Sequence, residues 1–117
     1  MDSPIRNEVG AIFVPVKDIL KARDWYCRLL GLPNDGPVQF GHLYTLPING
    51  VNVVLDSKIY NGHNVLQYPA FHFNTDDIAA SYEYMKKLGA NLLSGIEHDH
   101  YFTFKDPDGN VLMVCKC

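Results

Sequence analysis

Apolar residues recur along the chain with two periods, and each period predicts one kind of secondary structure. Residues 10–17 are rich in β-forming side chains, and the apolar positions after them are spaced three or four apart, as on one face of a helix. Asp18 can cap the start of that helix, and Gly31 suits its end. The pattern therefore predicts a strand followed by a helix. The buried face of this helix is predicted to hold Ile19, Ala22, Tyr26, Leu29 and Leu30.

The same pattern of strand and helix returns within residues 69–90. Asp77 is the predicted cap of the second helix and lies 59 positions after Asp18, while Gly89 marks the end of the helix. The buried face of the second helix is predicted to hold Ile78, Tyr82, Met85 and Leu88. A strand and a helix that recur at a fixed offset indicate one structural unit present twice.

Hairpin signals follow the same offset. Asn49-Gly50 falls on Asp108-Gly109, and each dipeptide precedes an apolar run that predicts a strand. Strand, helix and further strands thus occur twice, which predicts two βαβββ modules in a single domain of residues 1–117. Module one covers about residues 9–56, a polar connector covers about residues 57–68, and module two covers about residues 69–116.

Each predicted strand has a core face and an outer face, because alternate residues of a strand point to opposite sides of the sheet. The core face is predicted to hold Ile12, Val14, Val16, Val53, Leu55, Phe71, Phe73, Leu112 and Val114. Both hairpins are predicted to contain a type I turn closed by a glycine in a bulge. That geometry pairs Tyr44 with Val54 and Thr103 with Met113. It also adds Leu43, Phe102 and Phe104 to the core.

The outer face mixes aromatic rings with a few polar groups. Its predicted members are Ala11, Phe13, His42, Tyr44, Val54, Ala70, His72, Asn74, Tyr101, Thr103 and Met113. A face in contact with water alone would carry more charge, and a second core would carry fewer polar groups. The composition therefore suits the wall of a cavity that binds a small molecule.

Composition and charge exclude several classes of partner. The chain has 117 residues, 47% of them hydrophobic, and a net charge of −3 with both signs interspersed, so it offers no basic stripe for nucleic acid or anionic lipid. The first twenty residues contain no long apolar run, and we expect neither a signal peptide nor a membrane span but a cytoplasmic location. Cys27, Cys115 and Cys117 are expected to be reduced, structural thiols.

The chain resembles the vicinal oxygen chelate superfamily, which includes glyoxalases, bleomycin-resistance proteins and extradiol dioxygenases. The resemblance covers about residues 9–115 and rests on the paired modules, the run VPVKDILKARDWYCRLLGL and the closing run FTFKDPDGNVLMV. It implies an α+β fold in which two βαβββ modules form a curved mixed sheet around a cavity. It also implies a homodimer, since related two-module chains often build each cavity from both subunits.

Enzymes of that superfamily place His, Glu or Gln metal ligands at four equivalent strand positions. The resemblance carries these positions onto Ala11, Val54, Ala70 and Met113. Three of the four side chains have no donor atom, and the Met113 thioether is a soft ligand that suits hard divalent ions poorly. We therefore expect no metal ion and no cofactor at these positions.

These observations favour a metal-independent binding protein of the bleomycin-resistance type, which sequesters a small apolar or aromatic molecule. The predicted ligand-binding residues are Phe13, His42, Tyr44, Val54, His72, Tyr101, Thr103 and Met113.

Two alternative functions stay open. One is a glyoxalase-like lyase or isomerase, either with a metal site relocated to His42 and His72 or with His72 as a general base. The other is a scaffold or regulatory partner whose cavity is occluded. Whether the chain is an enzyme is not decided by its sequence.

Overall fold

The protein is described here by a computed structural model in which residues 2–117 are placed, and Met1 lies outside the described residues. Module one contains β1 (Ala11–Pro15), α1 (Ile19–Leu30), β2 (Leu43–Thr45) and β3 (Asn52–Asp56). Module two contains β4 (His72–Asn74), α2 (Ile78–Leu88), β5 (Asn91–Leu92), β6 (Tyr101–Lys105) and β7 (Val111–Cys115). The α+β class predicted from the sequence is confirmed.

Both helices begin and end at the predicted residues. The Asp18 side chain accepts hydrogen bonds from the backbone N–H groups of Leu20 and Lys21, and the Asp77 side chain accepts one from Ala80. Gly31 and Gly89 end the helices with φ angles of 67° and 73°, in the left-handed region that favours glycine. No helix within residues 2–117 combines the length and the apolar character needed to cross a bilayer.

Each module builds its own mixed sheet, with strand orders β1-β3-β2 and β4-β7-β6-β5. In both modules the first strand lies parallel to the last strand, and the preceding strand pairs antiparallel with that last strand. Strand β7 begins 59 residues after β3 begins and ends 59 residues after β3 ends. The predicted repeat is therefore present in the sheet topology as well as in the helices.

Module one lacks the short strand that β5 provides in module two. A single bridge between Gln39 and Leu43 is all that remains of the pairing there, and it corresponds to the bridge between Glu97 and Tyr101 at an offset of 58. At the same offset, Pro33 stands where module two has Asn91, the first residue of β5. Proline has no N–H to donate to a ladder, so the predicted βαβββ order is complete only in module two.

The predicted strand register is confirmed in module two and wrong by one residue in module one. Thr103 lies opposite Met113 as predicted, but Tyr44 lies opposite Leu55, and Thr45 takes the place beside Val54. Tyr44 is consequently only 3% exposed and packs in the core, whereas Leu43 lies on the outer face opposite Asp56.

The register differs because the two hairpin connections have different lengths. Residues 46–51 connect β2 to β3, whereas residues 106–110 connect β6 to β7, so the first connection is one residue longer. Leu46 still pairs with Val53 through its N–H, and the Ile48 N–H bonds back to the Leu46 carbonyl. The turn thus starts after Leu46, and Tyr44 and Leu46 share the core face.

One hydrophobic core draws on both modules. Its largest fully buried side chains include Tyr26, Phe102, Phe104, Leu46 and Leu55. Predicted core residues Val14, Val16, Val53, Leu112 and Val114 are also buried, while Ile12, Phe71 and Phe73 are half-buried at its edge.

A buried polar network fastens the hairpin of module two to module one. The Tyr26 hydroxyl of α1 donates a 2.6 Å hydrogen bond to Oδ2 of Asp106, and Asn110 Nδ2 donates 2.8 Å bonds to that oxygen and to the Pro15 carbonyl of β1. Oδ1 of Asp106 accepts the backbone N–H groups of Asp108 and Asn110. Asp106 and Asn110 are 4% and 0% exposed, so the network lies out of water.

Replacing Asn110 tests the energetic weight of this network. We expect Asn110→Ala to lower the free energy of unfolding by about 2–4 kcal/mol, because it leaves the Pro15 carbonyl and the Leu66 N–H without their partner. Chemical denaturation measures the change. The exposed turn residue Asn49 provides the control, and Asn49→Ala should shift stability by less than about 0.5 kcal/mol. Equal effects at both positions would contradict the role of the network.

The network also predicts a loss of stability at alkaline pH. Burial, and next the charge of Asp106, raise the pKa of Tyr26 well above the ordinary value of 10.0. Above pH 10 the unfolded state therefore releases the Tyr26 proton while the folded state keeps it, and the free energy of unfolding falls by up to about 1.4 kcal/mol per pH unit. Below pH 10 the contribution is fully present. Denaturation at stepped pH should show a shallower decline for Tyr26→Phe than for the wild type, and an unchanged decline for the control Tyr68→Phe.

Candidate functional site

The outer face of each sheet carries a row of three side chains that the repeat relates. In module one, Phe13 and Thr45 flank Val54 on its two sides. In module two, His72 and Thr103 flank Met113 in the same way. Because directly opposed residues point to the same side of a sheet, each row forms a continuous strip across three strands.

The two strips differ in exposure and chemistry. Phe13 is 53% exposed and presents an aromatic ring beside the buried Val54 side chain. His72 is exposed and places an imidazole at the equivalent position, next to the half-buried Met113. One strip is therefore apolar with a hydroxyl at its end, and the other adds a group that can donate or accept a hydrogen bond.

The predicted ligand-binding residues divide into three groups in the structure. Phe13, Val54, His72, Thr103 and Met113 lie on the strips, and Tyr101 follows on the same face of β6, opposite Cys115. His42 precedes β2 at the edge of the outer face. Tyr44 does not reach this face, because the register of module one turns its ring into the core, where its hydroxyl lies 3.5 Å from Cys27 Sγ.

The four positions that correspond to superfamily metal ligands are split between the two sheets. Ala11 begins β1, Val54 lies in the middle of β3, Met113 lies in the middle of β7, and Ala70 precedes β4. Their side chains provide no oxygen or nitrogen atom to coordinate an ion.

His42 is oriented by a carboxyl group. Its Nδ1 lies 2.8 Å from Oδ1 of Asp56, which is 6% exposed at the end of β3 and also accepts the Lys58 N–H at 2.9 Å. The pairing fixes the ring, and its Nε2 is left to bond another group. Asp56 lies two residues after Val54 on the same side of β3, and the register of module one sets Leu43 opposite it, so His42 follows directly beside this carboxyl group.

His72 lies close to the sulfur atoms of Cys115 and Cys117, a neighbourhood that is not predicted from the sequence. Cys115 and Cys117 form a disulfide with a Cα–Cα distance of 5.4 Å, so the prediction of reduced thiols is wrong for these two and holds for the buried, free Cys27. The ligand atoms of His72, Cys115 and Cys117 all lie within 4.8 Å of one another. His42 is not part of this group and pairs instead with Asp56 of β3.

Residues of both modules line a groove of about 580 Å³. It is lined by the half-buried core-edge residues Ile12, Phe71 and Phe73, by Val53, and by turn residues 48–51. His72 and Asn74 line the same groove, so among the predicted ligand-binding residues His72 alone has access to both the strip and the groove.

Comparison with known proteins gives a consistent assignment. The family model described as the Glyoxalase/Bleomycin resistance protein/Dioxygenase superfamily matches residues 8–114. No curated protein is significantly similar to the chain.

Solved structures share the whole fold. TnmS3, an antibiotic binding protein from Streptomyces sp. CB03234, is 25% identical with a TM-score of 0.73, and the match covers 97% of this chain and 98% of that one. A member of the same superfamily from Sphaerobacter thermophilus DSM 20745 is 22% identical with a TM-score of 0.71, covering 94% and 97%. TioX from Micromonospora sp. ML1 is 13% identical with a TM-score of 0.71, covering 94% and 98%; the likeness of these last two shows the fold alone.

Proposed function

We propose that this chain, which belongs to the Glyoxalase/Bleomycin resistance protein/Dioxygenase superfamily, binds and sequesters a small, largely apolar or aromatic molecule on its outer face. The single observation that carries the proposal is the strip of Phe13, Val54 and Thr45, in which the half-exposed Phe13 side chain lies beside the buried Val54. The similarity to TnmS3, an antibiotic binding protein, supports binding over catalysis.

The apolar area of the strips provides the affinity for a ligand, and a few polar groups at their margin determine how the ligand is oriented. Burying a phenylalanine completely contributes about 1.5–3 kcal/mol, so a ligand that covers the exposed half of Phe13 gains about 1 kcal/mol from this ring alone. Aromatic side chains provide that area at a low entropy cost. Thr103, His72 and the His42 ring held by Asp56 then offer hydrogen bonds at the margin of the apolar surface.

The ligand is bound without a metal ion at the four superfamily positions. The side chains at these positions are Ala11, Val54, Ala70 and Met113, and they have no oxygen or nitrogen atom that could hold a hard cation. No such cation is therefore available to coordinate an oxygen of the ligand. A ligand is held by contact with rings and methyl groups instead, and its affinity does not depend on a divalent ion.

A second copy of the chain completes the cavity in this proposal. The two strips lie on separate sheets, and Phe13 remains half exposed within one chain. The superfamily resemblance implies that a partner subunit covers such a face and encloses the ligand between modules of different chains.

Ligand binding can be measured with the aromatic fluorophore 8-anilinonaphthalene-1-sulfonate on the folded wild type. We expect Phe13→Ala to raise the dissociation constant about fivefold, which corresponds to a loss of about 1 kcal/mol of binding free energy. Phe40→Ala is the matched control, since Phe40 is 86% exposed and lies outside both sheets. It should leave the dissociation constant within about twofold of the wild type. Equal losses in the two variants, or no binding to the wild type, contradict the proposed face.

The same titration tests metal independence. Binding measured before and after treatment with EDTA should give the same dissociation constant, because no donor set at the four positions holds an ion. A loss of binding with EDTA that added Mn²⁺, Ni²⁺ or Zn²⁺ restores would favour the metal-dependent lyase or isomerase instead.

A further inference from the structure

We infer that His72, Cys115 and Cys117 form a binding site for a thiophilic metal ion, with Zn²⁺ as the probe, when the two cysteines are reduced. Their potential ligand atoms all lie within 4.8 Å of one another. These three ligands lie outside the four superfamily positions, although His72 also belongs to the strip of module two. The inference does not rest on the proposed ligand binding. It revises the expectation, drawn from the sequence, that the cysteines are structural and that the chain holds no metal.

The backbone brings the three side chains to one place. His72 lies opposite Met113 in the parallel pair of β4 and β7, and Cys115 follows Met113 by two residues on the same face. The Cys115 carbonyl accepts the Thr75 N–H at 3.1 Å, and the Lys116 N–H donates to the His100 carbonyl at 2.7 Å. Pairing on both sides therefore fixes the strand up to Lys116 and places Cys117 beside Cys115.

The donor types match a thiophilic ion and not a hard one. Two thiolates and one imidazole are common zinc ligands, with Zn–S bonds of about 2.3 Å and Zn–N bonds of about 2.0 Å. In a tetrahedral site these bonds place two sulfurs about 3.7 Å apart, so the sulfurs of Cys115 and Cys117, bonded to each other in the disulfide, separate when the ion binds. The imidazole already lies within 4.8 Å of both sulfurs. The fourth position is open to water or to the soft thioether of Met113, whose residue lies opposite His72.

An ion can reach the site from solvent. His72 and Cys117 are exposed, while Cys115 is buried at 3% exposure. One ligand is thus fixed in the packed strand, and two face the open side of the sheet. This arrangement holds the ion at the surface of the outer face, two residues along β7 from Met113.

The redox state decides whether the ion binds. In the disulfide both sulfurs are bonded to each other and neither is a thiolate. Two molecules of a small thiol, RSH, open it by exchange, giving two protein thiols and one RSSR, so the protein gains two electrons and two protons. When the ion binds, each thiol releases its proton to solvent and its sulfur becomes a ligand.

Zinc titration of the whole protein in the two redox states tests the inference. Protein reduced and then freed of reductant under inert gas should bind one Zn²⁺ per chain in competition with a chromophoric chelator, and protein oxidised to the disulfide should bind none. We expect Cys117→Ser and His72→Ala each to weaken Zn²⁺ binding at least tenfold. His63→Ala, which removes another exposed imidazole, should leave it within about twofold.

A spectroscopic readout separates coordination from a change in folding. Co²⁺ bound in place of Zn²⁺ should give sulfur-to-metal charge-transfer absorption in the reduced wild type, in His63→Ala and in Cys27→Ala, which removes a thiol outside the site. The absorption should disappear in Cys117→Ser while circular dichroism stays unchanged. A reduced wild type without stoichiometric Zn²⁺, or Zn²⁺ affinity that is the same in Cys117→Ser and in the wild type, overturns the inference.

Discussion

The buried carboxyl group of Asp106 is the contact on which the arrangement of the two modules depends. Its two oxygens accept four hydrogen bonds, from the Tyr26 hydroxyl, the Asn110 amide and the backbone N–H groups of Asp108 and Asn110. A buried polar group is costly unless it is fully paired, so the hairpin can adopt few other conformations. Through Asn110 and the Pro15 carbonyl, the same group also fixes the distance between β7 and β1.

This constraint gives the closing hairpin a structural role next to the outer face. Residues 106–110 of the closing hairpin hold the modules together, and the strands that they connect carry Thr103 and Met113 on the outer face. The superfamily fold keeps its geometry in this way, while Ala11, Val54, Ala70 and Met113 provide no hard donor. The polar and metal-ligating groups near the outer face are instead the His42–Asp56 pair and His72 with the neighbouring sulfurs of Cys115 and Cys117.

Features set by short stretches of sequence could be predicted, and features set by pairing between distant strands could not. Asp18, Gly31, Asp77 and Gly89 determine helix ends locally, and the offset of 59 follows from direct comparison of the two halves. The predicted register of module one was wrong because it assumed that the turn at Asn49-Gly50 has the same length as the turn at Asp108-Gly109. The alternation of Tyr44 and Leu46 on the core side was the signal that could have corrected it. The alternation of residues also predicts that Cys115 and Cys117 point to the same side. Their closeness to His72 depends on the parallel pairing of β4 with β7, which the sequence does not reveal.

The methyl resonances of two methionines test most directly that ligands bind on the outer face. Met113 lies in the strip of module two, whereas Met85 is 2% exposed on the buried face of α2. When an aromatic ligand is titrated into protein labelled with ¹³C at the methionine methyl groups, we predict that the Met113 signal shifts in a saturable manner while the Met85 signal stays in place. A saturable shift of Met85 with Met113 unchanged would place the ligand elsewhere and contradict the account.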